Sequence, residues 1–238
     1  MRVDFSISSW AAWAPGLTTP DQWRAWAGAP AVAPRGAEMP PLTEVPAMAR
    51  RRVEKMGRLA FQVATWCQGE ARGAPLIFAS RHGDAGRSVE LLTMLSKGES
   101  LSPTSFALSV HNAIGAQYSI IRGDTANVSA ISNGLFTVEA GVIEAVTQFP
   151  ESPDVTLVVY DASPPPLYAR FFDEPGADFA FAWRLTRGTD FCLETDAGDP
   201  GSTSPLPHSL DVLRFFLGAA PSLRRADALA GWRWSRRG

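Results

Sequence analysis

Pro75-Leu-Ile-Phe-Ala-Ser-Arg-His-Gly83 begins as a continuously apolar run and ends in polar residues and a glycine. Such a run suits a strand covered on both faces, because a half-solvated strand alternates apolar and polar positions. Before it, Ala47 to about Gln68 has no proline, and Met48, Val53, Met56, Leu59, Ala60, Val63, Ala64 and Cys67 recur at three- and four-residue steps. That spacing predicts one amphipathic helix. Further upstream, Val3–Ile7 alternates as a short strand does, and Thr19 or Asp21 can cap a short helix over Gln22–Ala27. Five prolines make residues 28–47 an irregular connection. Downstream, helices are predicted over Val89–Ser96, Phe106–Ile121 and Phe136–Gln148, and strands over Ala126–Ile131, Thr156–Tyr160 and Phe179–Leu185. Ala113, Gly115 and Ala116 permit close packing of the second of these helices. Residues 194–209 read as a loop, and Leu210–Leu217 and Ser222–Ala230 as short helices. Alternating strands and helices imply a layered α/β fold, with no boundary that splits off a second domain.

The chain has 238 residues, 45% hydrophobic and 19% charged, which excludes a wholly disordered protein and allows a substantial core. A net charge of −2 argues against a nucleic-acid binder. Two cysteines and three histidines, none in a metal-ligand motif, point to no metal and no cofactor. No stretch approaches the length of a membrane span, and Asp4 interrupts the region where a signal peptide needs an apolar run. The expectation is a soluble cytoplasmic protein.

Two stretches, Pro75–Gly83 and Ser102-Pro-Thr-Ser-Phe-Ala-Leu-Ser-Val-His-Asn-Ala-Ile-Gly115, resemble the N-terminal half of β-ketoacyl synthases. More closely, they are similar to the short β-ketoacyl synthase chain length factors of aryl polyene and xanthomonadin-type pigment clusters. Arg50-Arg-Arg52, Met56-Gly-Arg58 and the Trp-rich opening around Ala12-Trp-Ala-Pro-Gly16 match the same half. The resemblance implies a thiolase-like fold, about one half of a ketosynthase, with a mixed five-stranded sheet flanked by helices. It makes residues 1–238 one domain, with 186–238 as a family-specific C-terminal extension.

In a full synthase the nucleophilic cysteine closes the first half, and two catalytic histidines come from the second. The turn that resembles the nucleophile turn reads Val128-Ser-Ala-Ile-Ser-Asn-Gly-Leu-Phe136, with Gly134 at about the cysteine's place. Condensation needs a thiol to carry the acyl group and imidazoles to stabilise developing negative charge. Glycine supplies neither, so the resemblance implies no catalytic residue and a silent partner of a full-length β-ketoacyl-ACP synthase in a heterodimer, served by acyl carrier protein.

Leu91, Leu92, Leu95, Phe106, Leu108 and Val110, with His111, Asn112 and Phe136, match the region flanking the acyl tunnel and subunit contact. Most of these apolar residues are expected in the core, with a subset facing the partner. The basic residues Arg50, Arg51, Arg52 and Lys55, with Arg58, are either a solvated helix face or a dock for the acidic carrier protein. Ser80, Arg81 and His82 follow an apolar strand, where ligands gather in open α/β sheets, and form a candidate polar cluster. The plainer reading is hydrogen bonding that holds a loop. His111 is likewise expected to serve a structural hydrogen bond, and His208, in a Pro-rich loop, to be solvent-exposed. Cys67 reads as a buried, inert thiol and Cys192 as a bystander. The basic tail of Arg224, Arg225, Arg233, Arg236 and Arg237 reads as frayed or as a second partner contact.

Half a thiolase fold exposes an apolar face that the Trp-rich arm, residues 186–238 or another subunit must cover. The strand near Ala126–Ile131 is expected to pair antiparallel with its equivalent in the synthase. Two alternatives stand beside this reading. One is a small acyltransferase or hydrolase using Ser80 or Ser132 with His82 or His111, although no G-x-S-x-G elbow is present. The other is a carrier-protein-binding scaffold that does not set chain length.

Overall fold

Along β2 (Leu76–Ala79) and β4 (Asp154–Asp161), successive side chains enter two different cores. Leu76, Phe78, Val158 and Tyr160 point to one face; Ile77, Ala79, Leu157 and Val159 point to the other. This two-sided burial is why both strands read as unbroken apolar runs. The computed structural model describes residues 1–196 and 204–237. Among these, seven strands form one mixed sheet, ordered β3-β2-β4-β5-β7-β6, with β1 (Arg2–Trp13) alongside β5 (Phe179–Thr195). β3 (Val128–Ile131), β2 and β4 run parallel, and every other pairing is antiparallel.

One face carries α3 (Lys55–Gln68) and α6 (Ala113–Arg122), with Leu59, Phe61 and Tyr118 in its core. α6 lies so close to the sheet that a Cβ on Gly115 would fall 2.7 Å from Val128 Cγ1. The other face carries α7 (Thr137–Gln148), α8 (His208–Leu217) and α1 (Pro20–Gly28), with Val138, Val142, Leu210 and Leu213 against Phe181 and Trp183. α1 begins at a capping box between Thr19 and Gln22. α4 (Ala85–Ser96) and α5 (Pro103–Ala107) leave the carboxyl end of β2.

The α/β fold and all five expected strands are present, but the sheet has two more. The segment Ser222–Ala230, expected to be a helix, forms β6 (Ser222–Ala226) and enters a hairpin with β7 (Gly231–Arg236). Asp227 Oδ1 accepts from the N–H groups of Leu229 (2.7 Å) and Ala230 (2.8 Å), which closes the turn without glycine at its centre. β7 then pairs with Phe191–Thr195, along the edge of β5 that β4 leaves after Thr186. β1 runs on to Trp13 instead of ending at Ile7, because register shifts at Phe5/Ser6 and Ile7/Ser9 break its alternation without ending its pairing with β5.

Two expected helices are divided. The one over 47–68 is α2 (Ala47–Arg50) and α3, broken where Val53 turns into the core. The Arg58 guanidinium takes up carbonyls around the break, from Val53 (3.0 Å), Arg50 (3.1 Å) and Pro40 (3.2 Å). The one over 106–121 is interrupted between α5 and α6, where the His111 ring turns inward to the Ser80 carbonyl.

The basic tail is not frayed. Arg224 pairs with Asp196, Arg233 with Glu194 and Arg237 with Asp4, while Arg236 donates to the carbonyls of Phe215, Phe216 and Gly218 at the end of α8. Of the loop expected over 194–209, residues 197–203 lie outside the described residues. Among the described residues no helix is long and apolar enough to cross a membrane.

Candidate functional site at the carboxyl end of the sheet

Because β2, β3 and β4 are parallel and in register, their last residues arrive together: Ala79 lies beside Ile131 and Val159. Ser80-Arg81-His82 therefore meets Ser132-Asn133-Gly134 on one side and Asp161 on the other. Asp161 organises the cluster. Its carboxyl accepts from Ser80 Oγ (2.8 Å), the Arg81 N–H (3.2 Å) and the His82 N–H (3.3 Å). Burial pushes this carboxyl up to about 6, although the three hydrogen bonds pull the other way. Ser80 Oγ in turn accepts from the Gly83 N–H, and His111 Nε2 lies 2.9 Å from the Ser80 carbonyl oxygen.

Arg81 reaches outward to Asp173 (2.9 Å) and Glu174, and the His82 ring lies against Phe172 at 4.0 Å between centroids, tilted by 35°. Burial, and then the Arg81 charge, hold His82 below the ordinary histidine range. The loop over 162–178 is thus fastened to the end of β2 while its tip leaves Leu167, Tyr168 and Phe171 exposed.

Beneath this cluster lies a second polar group in the core. His208, expected to be solvent-exposed, is 1% exposed and donates from Nε2 to Glu139 Oε1 at 2.7 Å; Glu139 itself is fully buried. The Pro-rich loop ends at Pro207, and α8 begins with its first side chain turned inward against α7. Trp234 Nε1 donates to the same Glu139 oxygen at 2.8 Å.

Gly134 opens a single turn of 3-10 helix that leads into α7. Its φ of +54° lies in the left-handed region, and an added Cβ would meet nothing within 4 Å. The turn therefore has space for a side chain and presents none. Neither cysteine substitutes. Cys67 sits on α3 against Ser9, with burial raising its thiol, and Cys192 lies in β5, where burial and Asp4 push the thiol up to about 11. Both favour the unreactive, protonated form at neutral pH. The serines are committed too: Ser80 is buried and donates to Asp161, and Ser132 donates to the Arg81 carbonyl at 3.0 Å. Among the described residues no serine hydroxyl is hydrogen-bonded to an imidazole, and no group of His, Cys, Asp and Glu is arranged to hold a metal ion.

The candidate interface residues divide by burial. Leu92 (55%), Leu95 (59%), Phe106 (61%) and Val110 (48%) are exposed on α4 and α5 and the turn that follows. Leu108 and His111 are half-buried, Asn112 is exposed, and Leu91 and Phe136 are buried. A groove of about 610 Å³ runs between α6 and the edge of β3, lined by Ala116, Ile120, Thr125, Asn127 and Val128. The outer edge of β3 has no strand beside it among the described residues.

In the basic cluster, Arg50 is half-buried and donates to the Leu42 carbonyl, Arg51 and Arg52 are exposed, and Lys55 pairs with Asp178. Lys55 and His82 border one cleft of about 510 Å³, whose other wall is Pro164–Pro166 and Phe172. The structure thus brings Lys55 towards the Ser80-Arg81-His82 cluster. Asp161, absent from the sequence reading, obeys the same strand-end rule that singled out Ser80, since it directly follows the apolar run of β4. Glu139, Glu174 and Trp234 carry no such local signal.

The sequence profile of the family described as "Beta-ketoacyl synthase, N-terminal domain" matches residues 23–235. In a solved complex of the ketosynthase ApeO with its chain length factor ApeC from Xenorhabdus doucetiae, one chain is 29% identical with a TM-score of 0.89, the match covering 98% of this chain and 100% of that one. The ishigamide ketosynthase/chain length factor follows with a TM-score of 0.65 at 10% identity, covering 82% of this chain and 67% of that one. A beta-ketoacyl synthase from Burkholderia phymatum STM815 gives 0.58 at 10% identity, covering 82% and 65%. The last two likenesses are of fold alone. Comparison with curated proteins returned no match.

Proposed function

The chain belongs to the beta-ketoacyl synthase N-terminal-domain family, and from that premise we propose that it is a non-catalytic chain length factor. In this reading it pairs with a full-length β-ketoacyl-ACP synthase, stabilises it, and shapes the acyl tunnel during aryl polyene-type elongation. The observation that carries the reading is the turn after β3, which keeps left-handed backbone and open space at Gly134 but offers no thiol. Without a thiolate there, the acyl chain has to be carried by a neighbour. The near-complete mutual coverage with a chain of the ApeO–ApeC complex supports a short subunit of such a pair.

The open edge of β3, the groove beside it and the exposed apolar side chains of α4 and α5 supply a surface of the kind a partner covers. Leu210 and Leu213 of α8 and Trp234 of β7 pack on the side of the sheet that carries α7, which leaves less of that face for a partner to cover. Co-expression with the neighbouring full-length synthase, co-purification, and mass spectrometry of carrier-bound products test the reading. A stable pair making products of defined length is expected. Carbon–carbon bond formation from malonyl thioesters by this chain alone overturns it.

Leu92→Trp shortens and Leu92→Ala lengthens the polyene made by the reconstituted pair, because a packed wall resists each added methylene. Identical products across both variants would leave only a scaffold. Arg51→Glu with Arg52→Glu is the cleaner test of carrier-protein docking, since Lys55 already pairs with Asp178. The double reversal is expected to weaken carrier binding about tenfold at low salt and to flatten its salt dependence, as measured by titration calorimetry. Unchanged affinity assigns the docking elsewhere.

A further inference from the structure

The Glu139–His208 pair joins elements that are far apart in sequence and is fully enclosed. Glu139 stands in the first turn of α7, and its Oε1 receives both the His208 imidazole and the Trp234 indole of β7. Its second oxygen, Oε2, and His208 Nδ1 are buried with no hydrogen-bond partner. From His208 the connection continues through the main chain. The His208 N–H donates to Glu174 Oε1 at 2.8 Å, so Glu174 caps the start of α8. The other Glu174 oxygen accepts from Arg81, which also holds Asp173.

We propose that the Glu139–His208 pair is a protonation-dependent latch that holds α8 and, through Glu174, the loop over 162–178 against the carboxyl end of the sheet. The consequence concerns surface as well as stability, because that loop presents Leu167, Tyr168 and Phe171 beside the Ser80-Arg81-His82 cluster.

The charges facing His208 set the direction. Glu139 faces it from α7, Glu174 from the loop and Asp211 from its own helix. Arg81 lies beyond Glu174, and Arg225 of β6 lies towards Asp211. From α8 towards α1, Arg214 is occupied by the carbonyls of Ala27 and Ala29. Burial alone would lower the imidazole, but the three carboxylates reverse this and hold it above the ordinary histidine range. The stabilisation is therefore complete below the unfolded-state value and is lost as pH rises through the folded-state value. A neutral imidazole still offers one N–H, yet it leaves the Glu139 charge in an apolar core without a counter-cation.

Hydrogen exchange of the full chain, followed by mass spectrometry between about pH 6 and pH 9 and corrected for intrinsic rates, tests the latch. Peptides covering 163–176 and 208–217 are expected to open in parallel. The rise begins near the ordinary histidine value, reaches up to about tenfold per pH unit (the limit for one released proton), and levels off above the raised value. His208→Gln keeps a donor to Glu139 but cannot titrate, and above about pH 7, where the titration of Asp161 is complete, both peptides are then expected to show a flat profile. Glu139→Gln removes the charge and is expected to flatten it too. A flat wild-type profile, a rise that survives in His208→Gln above that pH, or α8 opening while the loop does not, each overturns the proposal. If neither variant folds, an NMR titration of His208 decides, and a value below the ordinary histidine range refutes the latch.

Discussion

Ala130→Pro is expected to leave the isolated chain folded while weakening its association with the partner synthase by roughly 100-fold, about 2.7 kcal/mol. The expectation rests on which backbone groups of β3 are free. The Asn127 and Ile131 carbonyls accept from the Leu76 and Ser80 N–H groups of β2, at 2.9 and 3.1 Å. Strand alternation then turns the N–H and C=O of Val128 and Ala130 away from β2, towards the open edge. In the proposed pairing, an antiparallel strand from the synthase would draw its affinity from those outward groups. Proline at 130 removes one outward donor and leaves the β2 ladder intact, a position at which proline is tolerated. Ser129→Pro is the contrast, because its N–H faces β2, and this variant is expected to lose its fold. Sedimentation of each variant with the synthase, beside circular dichroism of the chain alone, separates the two effects. Wild-type pairing by a folded Ala130→Pro chain would place the joint away from β3.

The other large effect is on stability and centres on Asp161. Asp161→Ala strands the Ser80 hydroxyl and the Arg81 and His82 N–H groups without their acceptor, at a cost of about 3 kcal/mol or more. The wild-type carboxyl also carries a pH signature. Its folded-state value is raised to about 6 from 3.8, so the folded state holds the proton more tightly than the unfolded chain does. The stabilisation from that proton is complete below the unfolded-state value and is lost as pH rises through about 6, a change of roughly 3 kcal/mol. Asp161→Asn cannot titrate and sacrifices one main-chain hydrogen bond. The stability difference between wild type and Asp161→Asn, from urea denaturation at several pH values, is therefore expected to shrink by that amount between about pH 4 and pH 7. A difference independent of pH would mean that Asp161 titrates normally.

The five expected strands were legible because period and length decide them: four buried residues in β2, or the run Thr156–Tyr160, admit few other structures. The remainder depended on distant partners. The expected strand stops at Leu185, before the polar residues Thr186-Arg-Gly-Thr-Asp190, yet β5 continues to Thr195 because β1 accompanies it from the other side. Ser222–Ala226 is short, with two of its five residues charged, and only its pairing with β7, itself seated on Phe191–Thr195, makes it a strand. In the site, Ser80, Arg81 and His82 were legible from their place after a strand. Asp161 was equally legible and was missed. His208 looked exposed because its neighbours are prolines and polar residues, whereas its partner Glu139 lies 69 positions earlier. Nothing local announces such a pair.

The long strand β5 also dictates the order of events during synthesis. Of the seven strands of the sheet β1 leaves the ribosome first, and it finds its partners only among residues 180–194. At a translation rate of about 5–20 residues per second, it waits on the order of 10–40 s with its backbone unpaired. Through that interval the nascent chain is exposed to mispairing, and contacts of such long range form slowly even once available. Yield in the cell should accordingly depend on chaperones acting on the emerging polypeptide.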